Sequence, residues 1–469
     1  MLPDEVFLEI LAFCVRRAAP NSFFLHMREW QRLVQVCRRW RQIIYASPHY
    51  LDLHLYCSNG PPVRENLHRW PAFPIAMKYR LYGDQNNVIF SLQQRDRIKS
   101  LDFEIQARTQ WETVVATMQE PFPMLTCLKL SGYVNVPALP SGFLGGSAPS
   151  LQQVVLYYFP FPEFPMFLFS ARNLVSLKLH HILPSPTGCI SPEATIAALT
   201  ELTTLETLSI VFSDSTSMPA QLEWRRRPDS PMRVMLPVLT YFDFRGCSKY
   251  LEVLVARIDA PRLNRLRLAT ALGPFDNSLD ALQLPQLTQF IGCADDMNFR
   301  RAQLEYSHSE INIKPRVVDR PQFDPDEPDH NSPFSLYTKC GLFGTHITDM
   351  AHVLIQISTM FSNVDYVYIR AGDHPDWDDA IENSEWLAFF QLFTKVETLL
   401  VSGRLATQFS RALDDFPSEM VTEVLPSLHF LMLEDDDEPV SPLQFVSLRQ
   451  LQGRPVTICD LRNEEVERL

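Results

Sequence analysis

An apolar pattern of the form L-x-x-L-x-L recurs along the chain and restricts it to folds in which similar units stack. The last two apolar residues of each copy alternate as on a short strand, so each strand has one apolar face. A single unit cannot bury that face alone, and neighbouring units must therefore pack side by side. The copies begin at these residues: Ile98, Leu125, Leu151, Leu174, Leu205, Leu239, Leu263, Leu287 (the weakest), Val364, Val396 and Leu428.

The spacing of the copies is typical of a solenoid. From Leu125 to Leu287, successive copies begin 23 to 34 residues apart; a gap of 77 residues and two steps of 32 follow. Periods of this size are those of repeat proteins. Apolar residues at helical spacing follow Ser248, and Ser191-Pro192 is a favourable helix start. The sequence therefore predicts a unit of strand, loop, helix and loop.

Proline marks the start of many units. The chain contains 36 Pro but only 15 Gly among 469 residues, whereas globular proteins average about 5% Pro and about 7% Gly. Prolines stand shortly before six of the copies: Pro123, Pro149, Pro237, Pro261, Pro285 and Pro426. The excess of proline predicts many short elements, and the scarcity of glycine disfavours a glycine-rich nucleotide-binding enzyme.

The array resembles a leucine-rich repeat protein over about residues 95–435. The asparagine or cysteine that usually follows L-x-x-L-x-L is mostly absent, and the repeat length varies. We therefore expect an irregular ladder of βα units. The alternative is a compact α/β domain in which only the alternation of strand and helix is repeated.

The net charge of −13 is confined to the last fifth of the chain. Residues 371–469 hold 20 acidic and 7 basic side chains, and the first 370 residues are neutral. Nucleic-acid binding is disfavoured because it requires a positive field. Five adjacent acids follow the last full repeat: Glu434, Asp435, Asp436, Asp437 and Glu438. They are a possible contact for a basic target, although a solvated loop is the favoured interpretation.

The nine cysteines are odd in number and contain no C-x-x-C pair. This usage indicates a reduced compartment rather than a disulfide framework or a zinc site. No stretch approaches ~20 uninterrupted apolar residues, and the acids near the N-terminus do not suit a signal peptide. We therefore expect an intracellular protein, cytoplasmic or nuclear, that does not bind a membrane.

The sequence contains no pattern that indicates catalysis. No phosphate-binding glycine loop, dinucleotide fingerprint or nucleophile elbow occurs. His180 and His181 are adjacent at a strand end and point apart, which disfavours a metal site. Asp376-Trp377-Asp378 matches the D-x-D of sugar-nucleotide transferases, but such short matches arise by chance in acidic stretches. We expect no catalytic residue, no metal and no cofactor.

Residues 1–48 differ in character from the array. Pro3, with Asp4 and Glu5 beside it, predicts the start of a helix. A second helix is predicted from Trp30 to Ile44 and ends at Ser47-Pro48. A segment this short has little interior, yet it holds more apolar surface than one small bundle needs. We expect a partner, or the first repeats, to cover the surplus.

This N-terminal segment resembles an F-box. Leu2-Pro3-x-Glu5-Val6 is followed by Val36-Cys37-Arg38-Arg39-Trp40 and by Ser47-Pro48. The family pattern is L-P-x-E-hydrophobic, then V-C-[RK]-x-W and a closing S-P; here Tyr50 replaces the tryptophan common after it. The segment from Tyr50 to Ile75 resembles the continuation found in F-box proteins of mushroom-forming fungi.

The resemblance implies a concrete function. An F-box binds the Skp adaptor of an SCF-type cullin–RING ubiquitin ligase, and the rest of the chain binds an unknown protein target. An F-box protein has no catalytic residues of its own. By matching positions, the resemblance implies adaptor contacts at Leu2, Pro3, Val6, Ile10, Val36 and Trp40, although an internal position is favoured for Trp40.

The expected fold class is α/β, with a small all-α F-box followed by an irregular βα solenoid. The expected regions are the F-box at 1–48, a linker with the first strands at 49–94, the array at 95–435 with a loop insertion near 315–335, and a C-terminal cap at 436–469. An alternative function is a protein-interaction scaffold whose F-box-like segment only caps the array. It predicts that Leu2 and Pro3 are buried against the repeats.

Overall fold

The computed structural model contains two compact units, Met1–Leu205 and Glu206–Leu469. It describes residues 3–17, 33–47, 55–57, 63–69, 73–80, 85–105, 107–132, 136–183, 189–213, 233–271, 284–292, 300–307, 310–315, 333–339, 353–357, 361, 363–371, 383–403, 405–434 and 441–459.

Two helices form the N-terminal module. Helix α1 spans Asp4–Arg17, and its first turn holds Asp4 and Glu5 beside the positive end of the helix dipole. Helix α2 spans Arg38–Ala46. Cys37 caps the start of α2, because its Sγ accepts a hydrogen bond from the backbone N–H of Trp40 at 3.5 Å.

The prediction of one continuous helix from Trp30 to Ile44 is wrong within the described residues. Cys37 has an extended backbone, with φ −157° and ψ 171°, so helical geometry cannot run through it. The chain turns at residues 34–36, and α2 begins after Cys37. The predicted end is confirmed, since Ser47 is the C-terminal cap of α2.

A parallel sheet is the framework of the first unit. Its strands are β1 (Leu55–Cys57), β2 (Ile75–Arg80), β3 (Ile98–Glu104), β4 (Cys127–Ser131), β5 (Gln153–Tyr157) and β6 (Ser176–Ile182). They lie side by side in chain order, each parallel to the next. The register aligns Leu128, Val154 and Leu177 across three strands. Stacking in chain order is the geometry of a repeat array rather than of a compact α/β domain whose strand order reverses.

Short helices connect several of these strands: α3 (Val63–Arg69), α4 (Gln85–Leu92) and α5 (Arg108–Thr117), and α6 (Pro192–Leu199) follows β6. The predicted start of α6 is confirmed. The Ser191 Oγ accepts a hydrogen bond from the backbone N–H of Ala194 at 3.1 Å, and Pro192 occupies the first helical position.

The prediction of a helix in every repeat is wrong between β4 and β6. The 3₁₀ turns Phe143–Gly146 and Met166–Ser170 take its place. Pro160, Pro162 and Pro165 crowd the second of these connections. Proline has no N–H to donate and clashes with the preceding turn, so an α-helix cannot form there.

The core of the first unit lies between the sheet and the connections. Leu128 and its equivalents on neighbouring strands are completely buried. Aromatic rings fill the connections. The centroid of the Trp111 ring lies 6.4 Å from that of Phe143 and 5.7 Å from that of Phe159, and the centroids of Phe143 and Phe167 are 5.7 Å apart. These large rings supply the buried volume that the short 3₁₀ turns lack.

The second unit also contains one long sheet. Its strands are β7 (Thr207–Phe212), β9 (Tyr241–Cys247), β11 (Arg265–Ala271), β12 (Arg301–Ser307), β13 (Glu310–Pro315), β14 (Phe334–Lys339), β15 (Tyr366–Ala371), β16 (Thr398–Ser402), β17 (Phe430–Glu434) and β18 (Thr457–Cys459). Strands β8 (Val234–Met235) and β10 (Ile258–Asp259) form a separate parallel pair. The helices are α7 (Ser248–Val255), α8 (Pro285–Gly292), α9 (Asn383–Phe390), α10 (Leu405–Asp414) and α11 (Leu443–Leu451).

Three strands interrupt the chain-order stacking of the second unit. The spatial order is β7-β9-β11-β14-β13-β12-β15-β16-β17-β18. Strand β13 is antiparallel to both β12 and β14, and the remaining neighbours are parallel. This antiparallel meander fills the 77-residue gap in the repeat pattern. The predicted loop insertion near 315–335 lies largely outside the described residues.

The predicted repeat copy at Leu287 is wrong, because this segment is helix α8. Pro285 suits the first helical position, and Leu287, Phe290 and Ile291 bury one side of the helix. The Glu252 carboxylate accepts hydrogen bonds from the backbone N–H groups of Gln286 and Leu287, both at 2.9 Å. This cap from α7 stabilises the start of α8.

Parallel strands extend on both sides of the predicted array. Strands β1 and β2 precede residue 95, and β18 lies within the predicted C-terminal cap, where it pairs with β17. The ten other predicted copies are strands: each has its second and third apolar residues within a parallel strand, as Leu399 and Val401 are in β16.

We expect Leu130→Ala to lower the free energy of unfolding of the first unit by about 2–5 kcal/mol, because it leaves a cavity beneath β4. Leu130 is completely buried. Lys129→Ala is the matched control on the same strand: its Nζ lies on the other face, 3.9 Å from the Asp102 carboxylate, and its loss should cost less than about 1 kcal/mol. Urea unfolding followed by circular dichroism measures both. Equal losses would contradict the assigned faces of β4.

Candidate functional site

The two helices of the N-terminal module contact each other through a ring pair and an ion pair. The rings of Phe7 and Trp40 meet edge to face, with centroids 4.9 Å apart. The Arg39 guanidinium lies 2.6 Å from the Asp4 carboxylate. The ion pair is exposed and contributes little to stability, so the apolar contact carries most of the association.

A small core lies behind this contact. Its buried members are Leu11, Ala12, Val34, Ile43 and Ile44. Two come from α1, one from the turn before α2 and two from α2 itself. The Arg41 Nε donates a hydrogen bond to the Val34 carbonyl at 3.0 Å, which ties the turn to α2.

A stripe of apolar side chains remains on the outside of the module. Val6 is 44% exposed, Ile10 is 45% exposed and Phe13 is 62% exposed. Their spacing of four and three residues places them on one side of α1. Val36, in the turn before α2, is 60% exposed. We call these four residues the N-terminal apolar surface.

The structure places the residues predicted to contact the adaptor in three different ways. Val6, Ile10 and Val36 belong to the N-terminal apolar surface. Pro3 is exposed, and its carbonyl accepts a hydrogen bond from the backbone N–H of Phe7 at 3.1 Å. Trp40 is half-buried against Phe7 and supports the surface from behind. Leu2 lies outside the described residues.

Phe13 was not among the predicted contacts, although the sequence contains its signal. It lies three residues after Ile10 and seven after Val6 on an amphipathic helix. Phe13 is more exposed than either of them.

The predicted acidic contact lies almost wholly outside the described residues. Glu434 is the last residue of β17, and Asp435, Asp436, Asp437 and Glu438 follow it beyond the described part. The hypothesis that this run contacts a basic target therefore stays a prediction.

The adjacent histidines of β6 each lie against a tyrosine. The His180 ring meets Tyr157 at 5.0 Å, and the His181 ring stacks on Tyr158 at 4.6 Å with an interplanar angle of 7°. Tyr158 and His181 both have left-handed backbones, with φ of 61° and 52°. These two residues lie side by side on neighbouring segments, Tyr158 just after β5 and His181 near the end of β6.

On the strands of the first sheet, charged residues alternate with buried core residues. The Asp102 carboxylate on β3 lies 4.0 Å from the Lys78 Nζ on β2 and 3.9 Å from the Lys129 Nζ on β4. Burial raises the pKa of Asp102, and the two lysines oppose that rise. This ladder of alternating charge lies on the face of the sheet opposite the core.

The described residues contain neither a cluster suited to a metal ion nor a helix that could span a membrane. No group of three or more His, Cys, Asp or Glu side chains suited to a metal ion occurs in this part of the chain. No described helix is both long enough and apolar enough to cross a bilayer. Asp376 and Asp378 lie outside the described residues.

Comparison with known proteins supports the N-terminal assignment. Residues 1–55 match the family model F-box-like. Among solved structures, the chain is similar to the leucine-rich repeat-containing protein LegL7 from Legionella pneumophila, with 10% sequence identity and a TM-score of 0.21 over 86% of this chain and 99% of that one. No curated protein matches the chain significantly. Residues 1–55 are thus F-box-like, and the strands after them stack side by side, in parallel except for the meander of β12, β13 and β14.

We expect Cys37 of the N-terminal module and Cys57 of β1 to differ in reactivity. Cys37 adjoins Val36 and is exposed, whereas Cys57 on β1 is buried and its burial raises its pKa to about 12. Only the thiolate reacts with iodoacetamide. At a pH of about 8, peptide mapping by mass spectrometry should find Cys37 alkylated and Cys57 protected until urea is added. Equal labelling rates in the folded protein would contradict the burial of β1.

Proposed function

We propose that this protein is a non-catalytic substrate receptor of an SCF-type cullin–RING ubiquitin ligase. Its F-box-like module binds the Skp adaptor, and its repeat region binds a protein to be ubiquitinated. The observation that carries the proposal is the N-terminal apolar surface, which lies on the segment that matches the F-box-like model. The setting we propose is the cytoplasm or nucleus of a mushroom-forming fungus.

The exposed stripe on α1 suits docking into a groove of a helical partner. Apolar side chains at i, i+4 and i+7 are the anchors by which an amphipathic helix binds such a groove. Val6, Ile10 and Phe13 have this spacing, and each leaves about half of its surface in water. Covering a side chain of this size contributes about 1–2 kcal/mol. Together with Val36, the stripe supplies an apolar centre for a contact with the adaptor.

The internal packing of the module suits a preformed docking element. The Phe7–Trp40 ring pair and the Asp4–Arg39 ion pair hold α1 against α2 without using any residue of the N-terminal apolar surface. A surface that is ordered before binding loses less conformational entropy when the partner arrives. Trp40 is then a positioning residue rather than a direct contact.

The alternative is a scaffold whose F-box-like segment is an N-terminal cap. One observation favours it: the Tyr45 ring of α2 packs edge to face on Phe73, just before β2, at 6.0 Å. Pro3 argues against it, because a cap should bury this residue and Pro3 is exposed. The Tyr45–Phe73 contact involves the opposite end of α2 from Cys37 and leaves the N-terminal apolar surface open.

Substitution of the apolar stripe tests the proposal. We expect Val6→Glu combined with Ile10→Glu to weaken adaptor binding at least about 100-fold, because two charges would then enter an apolar groove. Co-expression with the Skp adaptor followed by gel filtration detects the complex, and calorimetry measures its Kd. Circular dichroism checks that the variant stays folded.

The matched control replaces two leucines that are equally apolar but lie on α11. Leu443 is 69% exposed and Leu451 is 84% exposed, so Leu443→Glu with Leu451→Glu should leave adaptor binding unchanged. If wild-type protein does not co-elute with the adaptor, or if both double variants bind equally well, the scaffold alternative is favoured and the receptor proposal fails.

A further inference from the structure

The second unit presents a row of arginines on the face of its sheet opposite the core. They are Arg245 on β9, Arg265 and Arg267 on β11, Arg301 on β12 and Arg370 on β15. Each alternates with buried core residues, as Arg267 does between Leu266 and Leu268. We call these five residues the arginine face.

The strand register brings the arginines into one surface. Arg267 lies beside Asp243 of β9 and Ser335 of β14, and Arg370 lies beside Glu305 of β12. Neighbouring strands are about 4.8 Å apart, so the five steps from β9 to β15 span about 24 Å. The residues are far apart in sequence, and the pairing of the strands, including the antiparallel meander, places them on one surface.

Two carboxylates on this surface, those of Asp243 and Glu305, already accept hydrogen bonds from other side chains. The Asp243 carboxylate accepts a hydrogen bond from the Ser209 Oγ at 2.6 Å. The Glu305 carboxylate accepts hydrogen bonds from Gln303 (2.7 Å), Asn312 (2.7 Å) and Lys314 (3.0 Å). Within the described residues, none of the five arginines forms an ion pair with a carboxylate, so the surface from β9 to β15 is positive.

Tyrosine rings hold several of these guanidinium groups in place. The Arg265 guanidinium lies 5.3 Å from the centre of the Tyr241 ring, and the Arg301 guanidinium lies 5.7 Å from that of Tyr366. Arg267 also interacts with Tyr241, where it opposes the rise in the pKa of the tyrosine that burial causes. A guanidinium that is fixed by a ring loses less entropy on binding, and its planar fork matches a carboxylate in two hydrogen bonds.

We propose that the arginine face binds an extended acidic segment, rich in Asp and Glu, of the target protein. This inference rests on the proposed receptor function and names the chemical class of its target. Because an extended chain rises about 3.3 Å per residue, a segment of about seven or eight residues covers the face. Charge complementarity determines the occupant: the face is positive within a chain whose net charge is −13. A nucleic acid would meet the same positive face with its phosphates, and it is the competing occupant that the experiment below distinguishes.

Fluorescence anisotropy with the full-length protein tests the assignment. The probe is a labelled peptide of about ten alternating Glu and Asp residues, and its Gln/Asn counterpart is the neutral control. We expect the acidic peptide to bind, the neutral one not to bind, and affinity to fall as NaCl rises from about 50 to about 200 mM. A labelled single-stranded DNA oligonucleotide is the competing probe.

Variants of the arginine face locate the site. Arg265→Gln with Arg267→Gln should weaken acidic-peptide binding about tenfold or more, and Arg301→Gln with Arg370→Gln should do the same from the other side of the face. Arg233→Gln with Arg411→Gln, which neutralises two exposed arginines elsewhere in this unit, should have no effect. Two independent pairs keep the test valid if one variant fails to fold.

Three results would overturn the inference: no binding of the acidic peptide to wild-type protein, equal loss with the Arg233 and Arg411 control pair, or tighter binding of the oligonucleotide at the same residues. Adaptor co-elution is measured in parallel. The arginine variants should still bind the adaptor, and the Val6 and Ile10 variant should still bind the acidic peptide. Failure of the receptor proposal is thereby distinguished from failure of this one.

Discussion

The fold depends on a hydrophobic core that adjacent repeats build together. Each strand has one apolar face, and Leu128 or Leu177 is fully buried only because the neighbouring strands and connections complete the core around it. This requirement places the fully buried apolar residues of the strands on one side of the sheet. The opposite side is then free of structural demands beyond solubility, and the charged and aromatic residues that occupy it can vary with little effect on stability.

The N-terminal module, by contrast, carries more apolar surface than it can bury by itself. Its two described helices bury only a few side chains, and α1 carries apolar residues on two sides: Phe7 and Leu11 face α2 and the small core, while Val6, Ile10 and Phe13 face water. A segment of this size cannot cover both sides by itself. An exposed apolar stripe on an ordered helix marks a site of interaction, and it lies within residues 1–55, which match the F-box-like model.

Much of the architecture could be predicted from the sequence, because the period-two burial of Leu-x-Leu is a local signal that the sheet requires. The copy at Leu287 failed because the same residues also satisfy helical spacing, and Pro285 together with the distant Glu252 decides for the helix. The antiparallel meander could not be predicted, since β13 pairs through backbone hydrogen bonds and carries no L-x-x-L-x-L pattern.

The two candidate sites also differ in how far they could be predicted from the sequence. Val6, Ile10 and Val36 could be predicted from a local motif. The arginine face could not, because Arg245 and Arg370 are brought into one surface only by the register of the strands between them.

Hydrogen–deuterium exchange on the full chain, with and without the Skp adaptor, tests the central claim most directly. If the F-box-like module is the docking element, the adaptor should slow exchange in peptides from α1 and from residues 34–46, and leave the strands of the repeat region unchanged. Protection confined to the repeat region, or no protection at a saturating adaptor concentration, would contradict the account.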